Sequence, residues 1–178
     1  RPKNLNCFDL PISDNPEEWG CNLGSYKENV DFILFGDSHS LSLINVVDEV
    51  GKSKGLRIFY AGRAGCIPFI GIYSKPSSKN NNDCLFLNEK VSELARAIKP
   101  RGMIFSARWA YYNFGGYGGD SRGINYISSL ENGPFNQLES MESFNVGLSN
   151  TVSFYRDINI PIHIISQPPQ QKYLPESV

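Results

Sequence analysis

Short apolar runs and amphipathic stretches alternate along the first half of the chain. Residues 31–35 consist of Asp31 followed by four apolar residues, and this run ends at Gly36. Apolar residues then recur at helical spacing as far as Gly51. This pattern predicts a buried strand followed by a helix that stops at Gly51. The apolar stripe of that helix comprises Leu43, Val46, Val47 and Val50. A second strand is predicted over residues 56–61.

The second half of the chain repeats the alternation. It predicts a helix over residues 87–98, a strand over 103–106, a helix over 141–155 and a strand over 160–165, with loops over 62–83 and 110–134. Strands that alternate with helices of this length indicate βαβ units and a parallel sheet covered by helices on both faces. The fold class is therefore α/β, as a three-layer αβα sandwich.

The N-terminal residues differ from the rest. Residues 1–30 contain several Pro and Gly and show no sustained periodicity, so we expect an N-terminal linker or extension there. Residues 31–178 are expected to form one domain, because this length suffices for a single hydrophobic core.

Composition narrows the class of protein. The net charge is −1, which does not favour a nucleic-acid or anionic-membrane surface. No apolar run approaches the roughly 20 residues that span a bilayer. The chain begins without Met and shows no signal-peptide pattern, so we expect a part of a larger protein.

The four cysteines predict two disulfides. The pairs Cys7–Cys21 and Cys66–Cys84 each bracket a polar stretch rich in Pro or Asn, which a core alone would hold poorly. Four free thiols in a cytosolic protein are the alternative. Two disulfides would indicate an oxidising compartment. No CxxC pair is present and there are only two His, so no metal site is expected.

The chemistry is expected where the strands end. Ligands of open α/β sheets bind at the carboxyl ends of the strands, and Gly36-Asp37-Ser38-His39 follows the first predicted strand. Ser38 would lie at a helix N-terminus, where its own N–H and the positive helix end can stabilise an oxyanion. The alternative is that Asp37 or Ser38 only caps the helix.

At this point the sequence resembles a known family. Gly-Asp-Ser near the start of an αβα domain is similar to the first motif of the SGNH, or GDSL-like, hydrolases and acyltransferases. Gly-Asp-Ser-His resembles the subgroup that is fused to acyltransferase-3 membrane domains and O-acetylates lipopolysaccharide. The cysteine pair before this motif, the stretch Ala61–Pro68 and the stretch Ser106–Trp109 fit the same subgroup. The resemblance covers about residues 7–169.

The resemblance implies roles for individual residues. Ser38 would be the nucleophile, and Gly65 would match the second-motif glycine that supplies an oxyanion N–H. Arg108 stands where the family has an Asn donor, so it would either replace that donor or leave the hole to backbone groups. The alternatives are that Gly65 serves only a loop with positive φ, and that Arg108 is a structural ion-pair residue.

Further residues could face the substrate. These are Asp37, Trp109, Tyr111 and Tyr112, of which the aromatic ones open a Gly-rich loop in which sugar rings could stack. Packing beneath that loop is the alternative.

The family's general base is missing from this sequence. The resemblance implies an Asp-x-x-His motif after the fourth parallel strand, and no such motif occurs here, so the C-terminal part of the sandwich is expected to be missing. His39 and His163 are expected to be structural. A serine without a base is a poor nucleophile, so residues 1–178 are expected to be nearly inactive alone.

The resemblance implies a periplasmic O-acetyltransferase domain. Acetyl would pass from the fused membrane domain to Ser38 and then to a hydroxyl of a surface glycan such as O-antigen, without a cofactor. A secreted carbohydrate acetylesterase and a non-catalytic glycan-binding module are the alternatives.

Overall fold

The computed structural model describes residues 7–74, 83–114 and 125–167. The helices in this part of the chain are α1 (Pro16–Trp19), α2 (Ser38–Lys54), α3 (Asp83–Ile98), α4 (Trp109–Phe114) and α5 (Gln137–Asp157). The strands are β1 (Cys21–Gly24), β2 (Phe32–Gly36), β3 (Arg57–Gly62), β4 (Tyr73–Ser74), β5 (Gly102–Ser106), β6 (Ile127–Ser128) and β7 (Ile162–Ile165).

Five of the strands form the main sheet. Their order is β1-β3-β2-β5-β7, in which β3, β2, β5 and β7 are parallel and β1 pairs antiparallel with β3 at one edge. Strands β4 and β6 form a separate two-stranded ribbon. The predicted α/β class with a mostly parallel sheet is confirmed.

Helices cover both faces of the sheet. On one face, Phe35 and Phe105 belong to a core cluster that also contains Leu87 and Val91 of α3 and Tyr155 of α5. On the other face, residues of β2 and β3 pack against α2. Neighbouring residues of a strand point to opposite faces, so Phe35 and Leu34 contribute to different clusters. The result is the predicted three-layer arrangement.

Residues 7–30 are more structured than predicted. Strand β1 lies within the segment predicted to be a linker or extension, and its Leu23 is almost fully buried. The disulfide Cys7–Cys21 holds the preceding segment against this strand. A four-residue strand is too short to show periodicity, which is why the sequence pattern missed it. The segment thus supplies an edge of the main sheet.

Helix α2 differs from its prediction in both its end and its buried face. It continues through Gly51 and ends at Lys54, and its C-cap Gly55 adopts a left-handed conformation. Gly51 therefore lies inside the helix. Glycine is needed at this position because a Cβ there would come within 2.8 Å of the Gly24 Cα. Val46 and Val50 point to solvent, whereas Ile44 is buried. The predicted stripe is therefore partly wrong, because Val46 and Val50 face away from the core whereas Val47 packs against it.

The region predicted as the loop 110–134 contains ordered elements. Helix α4 begins it, and β6 follows the residues 115–124, which lie outside the described residues. A small third core, which includes Phe69, Tyr112 and Ile127, packs between these elements and α5. Residues 168–178, which follow the fourth parallel strand, also lie outside the described residues.

Both predicted disulfides are present. Cys66–Cys84 joins the loop after β3 to the first turn of α3, and the described residues include no free cysteine. Disulfides are typical of an oxidising compartment. None of the described helices is long and apolar enough to cross a membrane. In the same residues, no group of three or more His, Cys, Asp or Glu is placed to hold a metal ion.

Candidate active site

The carboxyl ends of the three central strands meet at one edge of the sheet. Gly36 at the end of β2 lies in register with Gly62 of β3 and with Ser106 of β5. A Cβ at Gly36 would overlap the carbonyl oxygen of Ser106, so only glycine allows these two strands to end so close together. The segments that carry Ser38, Gly65 and Arg108 all start from this edge, as the sequence predicted.

Ser38 is the first residue of α2 and its side chain is exposed. A 17-residue helix places the positive end of its dipole at this residue. Within the described part of the chain, the Ser38 N–H donates to no other group; His39 N–H is instead bound by the Asp37 side chain. The serine hydroxyl and a free N–H are therefore presented together.

Asp37 fixes the turn that carries Ser38. Its carboxylate is only 2% exposed. Oδ1 accepts from His39 N–H at 2.8 Å, and Oδ2 accepts from Arg108 N–H at 2.9 Å and from the Tyr112 hydroxyl at 2.8 Å. Asp37 is thus the N-cap of α2 and also ties the β2 turn to the segment after β5. It was predicted to face the substrate, but its burial places it beneath the site.

Tyr112 is fully buried and was likewise predicted to face the substrate. Burial raises its pKa well above the usual value, and the neighbouring Asp37 carboxylate raises it further. The hydroxyl therefore remains protonated and can donate to Asp37 at neutral pH. Tyr112 supports the Ser38 turn from below and is not positioned to contact a ligand.

Gly65 lies in the short loop that follows β3. The φ of Gly65 is +67°, a left-handed conformation that favours glycine. The loop therefore does need glycine at this position, as the alternative to an oxyanion role assumed. The Asn125 side chain donates to the Gly65 carbonyl at 2.9 Å, and Cys66 anchors the next position. Among the described residues, the Gly65 N–H has no acceptor. Sequence reasoning missed Asn125, because nothing in the spacing connects two residues of different loops.

Arg108 is half-buried and its guanidinium lies over the ring of Tyr111, with the Arg108 Cζ 4.8 Å from the ring centre. Its backbone N–H is already bound to Asp37, so only the side chain could donate to a ligand. In residues 7–74, 83–114 and 125–167 no carboxylate forms an ion pair with Arg108, so the expected alternative of a structural ion pair is not found.

Trp109 is engaged by its own fold. Its indole N–H donates to the Ile165 carbonyl at 2.8 Å, and its ring stacks on Phe69 with 5.8 Å between ring centres. These contacts join α4 to β7 and to the third core. Tyr111 is the last of the four residues predicted to face the substrate. It is partly exposed, and its ring packs against the neighbouring Tyr112.

In the described residues, neither histidine forms a hydrogen bond with the Ser38 hydroxyl. His163 lies on β7 opposite Ile104, and its ring packs edge-on against Phe32 at the start of β2, the end remote from Ser38. His39 lies beside the buried Asp37, with its Nδ1 3.5 Å from Oδ1. The position of His163 is remote from Ser38, as its predicted structural role requires, and the structural role of His39 stays a prediction.

A cavity of about 670 Å³ opens beside Arg63, the first residue after β3. The segment 9–14 forms one wall and the start of α3 forms the other. The Arg63 guanidinium binds Asp83, Lys90 binds Asp14, and Phe86 is 49% exposed. Cavities of this volume accommodate small ligands.

Comparison with known proteins gives one match. The family model described as "SGNH domain (fused to AT3 domains)" matches residues 6–177, which is nearly the whole chain. No curated protein and no solved structure matched this chain.

Proposed function

The chain belongs to the family of SGNH domains fused to AT3 domains, and from this premise we propose that it is the periplasmic O-acetyltransferase domain of a membrane acyltransferase. Family membership supports a serine esterase or acyltransferase with a membrane acyltransferase partner domain. We further propose that the acceptor is a surface glycan such as O-antigen of lipopolysaccharide.

One observation carries the proposal: Ser38 is exposed at the N-terminus of α2, on a turn that the buried Asp37 holds in place. A nucleophilic serine needs an accessible Oγ and nearby N–H donors for the oxyanion. The free N–H groups of Ser38 and Gly65 lie at the same edge of the sheet and are proposed as those donors. Whether Arg108 adds a donor stays a prediction.

The proposed reaction has two steps. Ser38 Oγ attacks the carbonyl carbon of an acetyl group held as an ester or thioester by the donor. The serine proton leaves through a base to the departing oxygen or sulfur, and the bond between donor and acetyl breaks. A sugar hydroxyl then attacks acetyl-Ser38, and its proton returns to Oγ as the sugar ester forms and the serine is released.

The base is proposed to lie outside the described residues. His163 is at the remote end of the sheet and His39 is beside Asp37. We therefore propose that the Asp-x-x-His of the family takes the proton in the full-length protein, and that residues 1–178 alone turn over slowly. Loss of a triad member costs about 10⁴-fold or more in serine hydrolases.

The cavity beside Arg63 is proposed to accommodate the acceptor. Its exposed Phe86 offers a flat apolar surface on which a sugar ring can stack, and its two ion pairs offer both donors and acceptors to hydroxyl groups. The periplasm is proposed as the location because both disulfides require an oxidising environment to form.

The test measures acetyl transfer by the full-length protein from a labelled donor to a glycan acceptor and to water. Ser38→Ala should abolish both products. Ser42→Ala is the matched control, because Ser42 is an exposed serine one turn further along α2 whose hydroxyl donates to the His39 carbonyl. Equal rates in the wild type and Ser38→Ala would refute the proposal.

The same experiment separates the alternatives. A Ser38-dependent product that is free acetate, with no gain when the glycan is added, would indicate an acetylesterase. Glycan binding without any Ser38-dependent product would indicate a binding module. The fused AT3 domain of the family favours the transferase, because a membrane acyltransferase partner supplies acyl groups.

A further inference from the structure

Arg108 differs from the other half-buried arginines of the described chain. The Arg57 guanidinium donates to the carbonyls of Lys27 and Glu28, and the Arg63 guanidinium binds Asp83. In the same part of the chain, the Arg108 guanidinium forms no ion pair and donates no hydrogen bond. A partly desolvated cation without an acceptor attracts an anion more strongly than a solvated one.

The position of Arg108 is fixed from two sides. Its backbone N–H is bound to Asp37, the residue before Ser38. Its guanidinium stacks on Tyr111, whose ring in turn packs edge-on against the buried Tyr112 with 5.6 Å between ring centres. The guanidinium is therefore held against Tyr111, on a residue whose backbone is bonded to the Ser38 turn, which reduces the entropy lost when a ligand binds.

We propose that Arg108 recognises a carboxylate or phosphate group on the acceptor glycan and so selects anionic glycans. This inference rests on the proposed function, because it assigns Arg108 to the acceptor of that reaction. A guanidinium binds either anion through two parallel N–H···O bonds. Stacking on Tyr111 leaves the edge of the guanidinium, where its N–H groups lie, available for this purpose.

Anion recognition and oxyanion stabilisation by Arg108 predict different effects when its side chain is removed. An oxyanion donor contributes to the reaction of every acceptor, so its removal lowers all rates in the same proportion. A residue that binds a charged substituent acts only on acceptors that carry it. The preference between a charged and a neutral sugar, rather than the rate itself, therefore reports on the proposal.

The test is an NMR titration of the chain with four probes: methyl glucuronide, glucose 6-phosphate, methyl glucoside and inorganic phosphate. We expect at least one charged sugar to bind about tenfold more tightly than methyl glucoside, the difference that one charge-assisted hydrogen bond provides. Arg108→Gln should abolish this preference, and Arg108→Lys should retain part of it. Raising the salt concentration should weaken the preference.

Arg96→Gln is the matched control. Arg96 also stacks on an aromatic ring, that of Phe154 at 5.0 Å, but it lies in the last turn of α3. This variant should keep the preference for the charged sugar. Ser38→Ala should keep it as well, because binding does not require the nucleophile. The proposed function can thus fail while this inference stands.

Three results of the sugar titrations would overturn the inference, and a fourth comes from the phosphate probe. These are equal affinity of the wild type for charged and neutral sugars, a preference that persists in Arg108→Gln, and no detectable binding of any sugar. Binding of inorganic phosphate as tight as that of glucose 6-phosphate would show an anion site that does not recognise the glycan, which also contradicts it.

Discussion

The Tyr112 hydroxyl donates a 2.8 Å hydrogen bond to the Asp37 carboxylate, from 75 residues further along the chain. Both groups are buried. This bond joins α4 to the turn that presents Ser38, so the third core and the nucleophile are mechanically connected. Removing the hydroxyl should therefore affect both stability and the placement of Ser38.

Tyr112→Phe is expected to lower the free energy of unfolding by about 1–3 kcal/mol, because a buried carboxylate oxygen loses a donor. Tyr111→Phe is the control, since the neighbouring Tyr111 is only partly buried, and it should change stability much less. Urea denaturation of the three proteins measures the difference. An equal loss of unfolding free energy in both variants would show that the hydrogen bond from Tyr112 to Asp37 does not contribute to stability.

Stability is expected to fall in alkaline solution. Burial raises the pKa of Tyr155 to about 12, whereas an unfolded tyrosine titrates near 10. Between these values the unfolded state binds fewer protons, so Tyr155 adds stability that is fully present below pH 10 and is lost as the pH approaches 12. At about 1.4 kcal/mol per pKa unit, the loss reaches up to about 3 kcal/mol.

Denaturation at a series of pH values from 8 to 11 tests this, with tyrosine ionisation followed by ultraviolet absorbance. Tyr155→Phe should show a shallower decline above pH 10 than the wild type. Tyr112 and Tyr60 should contribute to the remaining decline, because burial raises the pKa of each. An identical decline in Tyr155→Phe would contradict the assignment to Tyr155.

Both disulfides are expected to stabilise the fold, but only Cys66–Cys84 is expected to affect the acetyl-transfer rate directly. Each closes a short loop, so replacing either pair by serines should cost about 3 kcal/mol in the chain-entropy picture. Loss of Cys66–Cys84 should also lower the acetyl-transfer rate, because Cys66 follows Gly65 directly. Loss of Cys7–Cys21 should lower the melting temperature without that additional loss of rate at low temperature. A larger loss of acetyl-transfer rate without Cys7–Cys21 than without Cys66–Cys84 would contradict the role given to the Gly65 loop.

The exposed ring of Phe86 is expected to bind the acceptor. Phe86→Ala in the full-length protein should raise the KM for the glycan several-fold, because stacking on an aromatic face is lost. The expected change in kcat is smaller, since Phe86 does not contact the acetyl group in this account. Steady-state kinetics with varied acceptor measures both constants. An unchanged KM would remove the cavity beside Arg63 from the proposed acceptor site.

The sequence predicted best what depends on local pattern. Gly36 between an apolar run and a helix was sufficient to locate Ser38 at the strand end, because the tight turn and the helix start are adjacent in sequence. The disulfides followed from the same local reasoning. Helix and strand order over residues 31–165 was largely correct, although α4 and the short strands β4 and β6 were not predicted.

The sequence could not predict what depends on distant contacts. Val46 and Val50 were assigned to the core because they are apolar, but the close approach of Gly51 to Gly24 turns the other side of α2 inward. Asp37, as part of Gly-Asp-Ser-His, and Tyr112, as an aromatic residue at the start of a Gly-rich loop, were predicted as residues that could face the substrate. Their mutual hydrogen bond, which no spacing reveals, places both beneath the site instead.

The most direct test of the central claim traps the acetyl group on the enzyme. The full-length protein is incubated with a labelled acetyl donor without a glycan, and the peptides are analysed by mass spectrometry. We expect the label on the peptide that contains Ser38, its transfer to sugar when glycan is added, and no such label in Ser38→Ala. Transfer of label to glycan by Ser38→Ala at the wild-type rate would contradict the account.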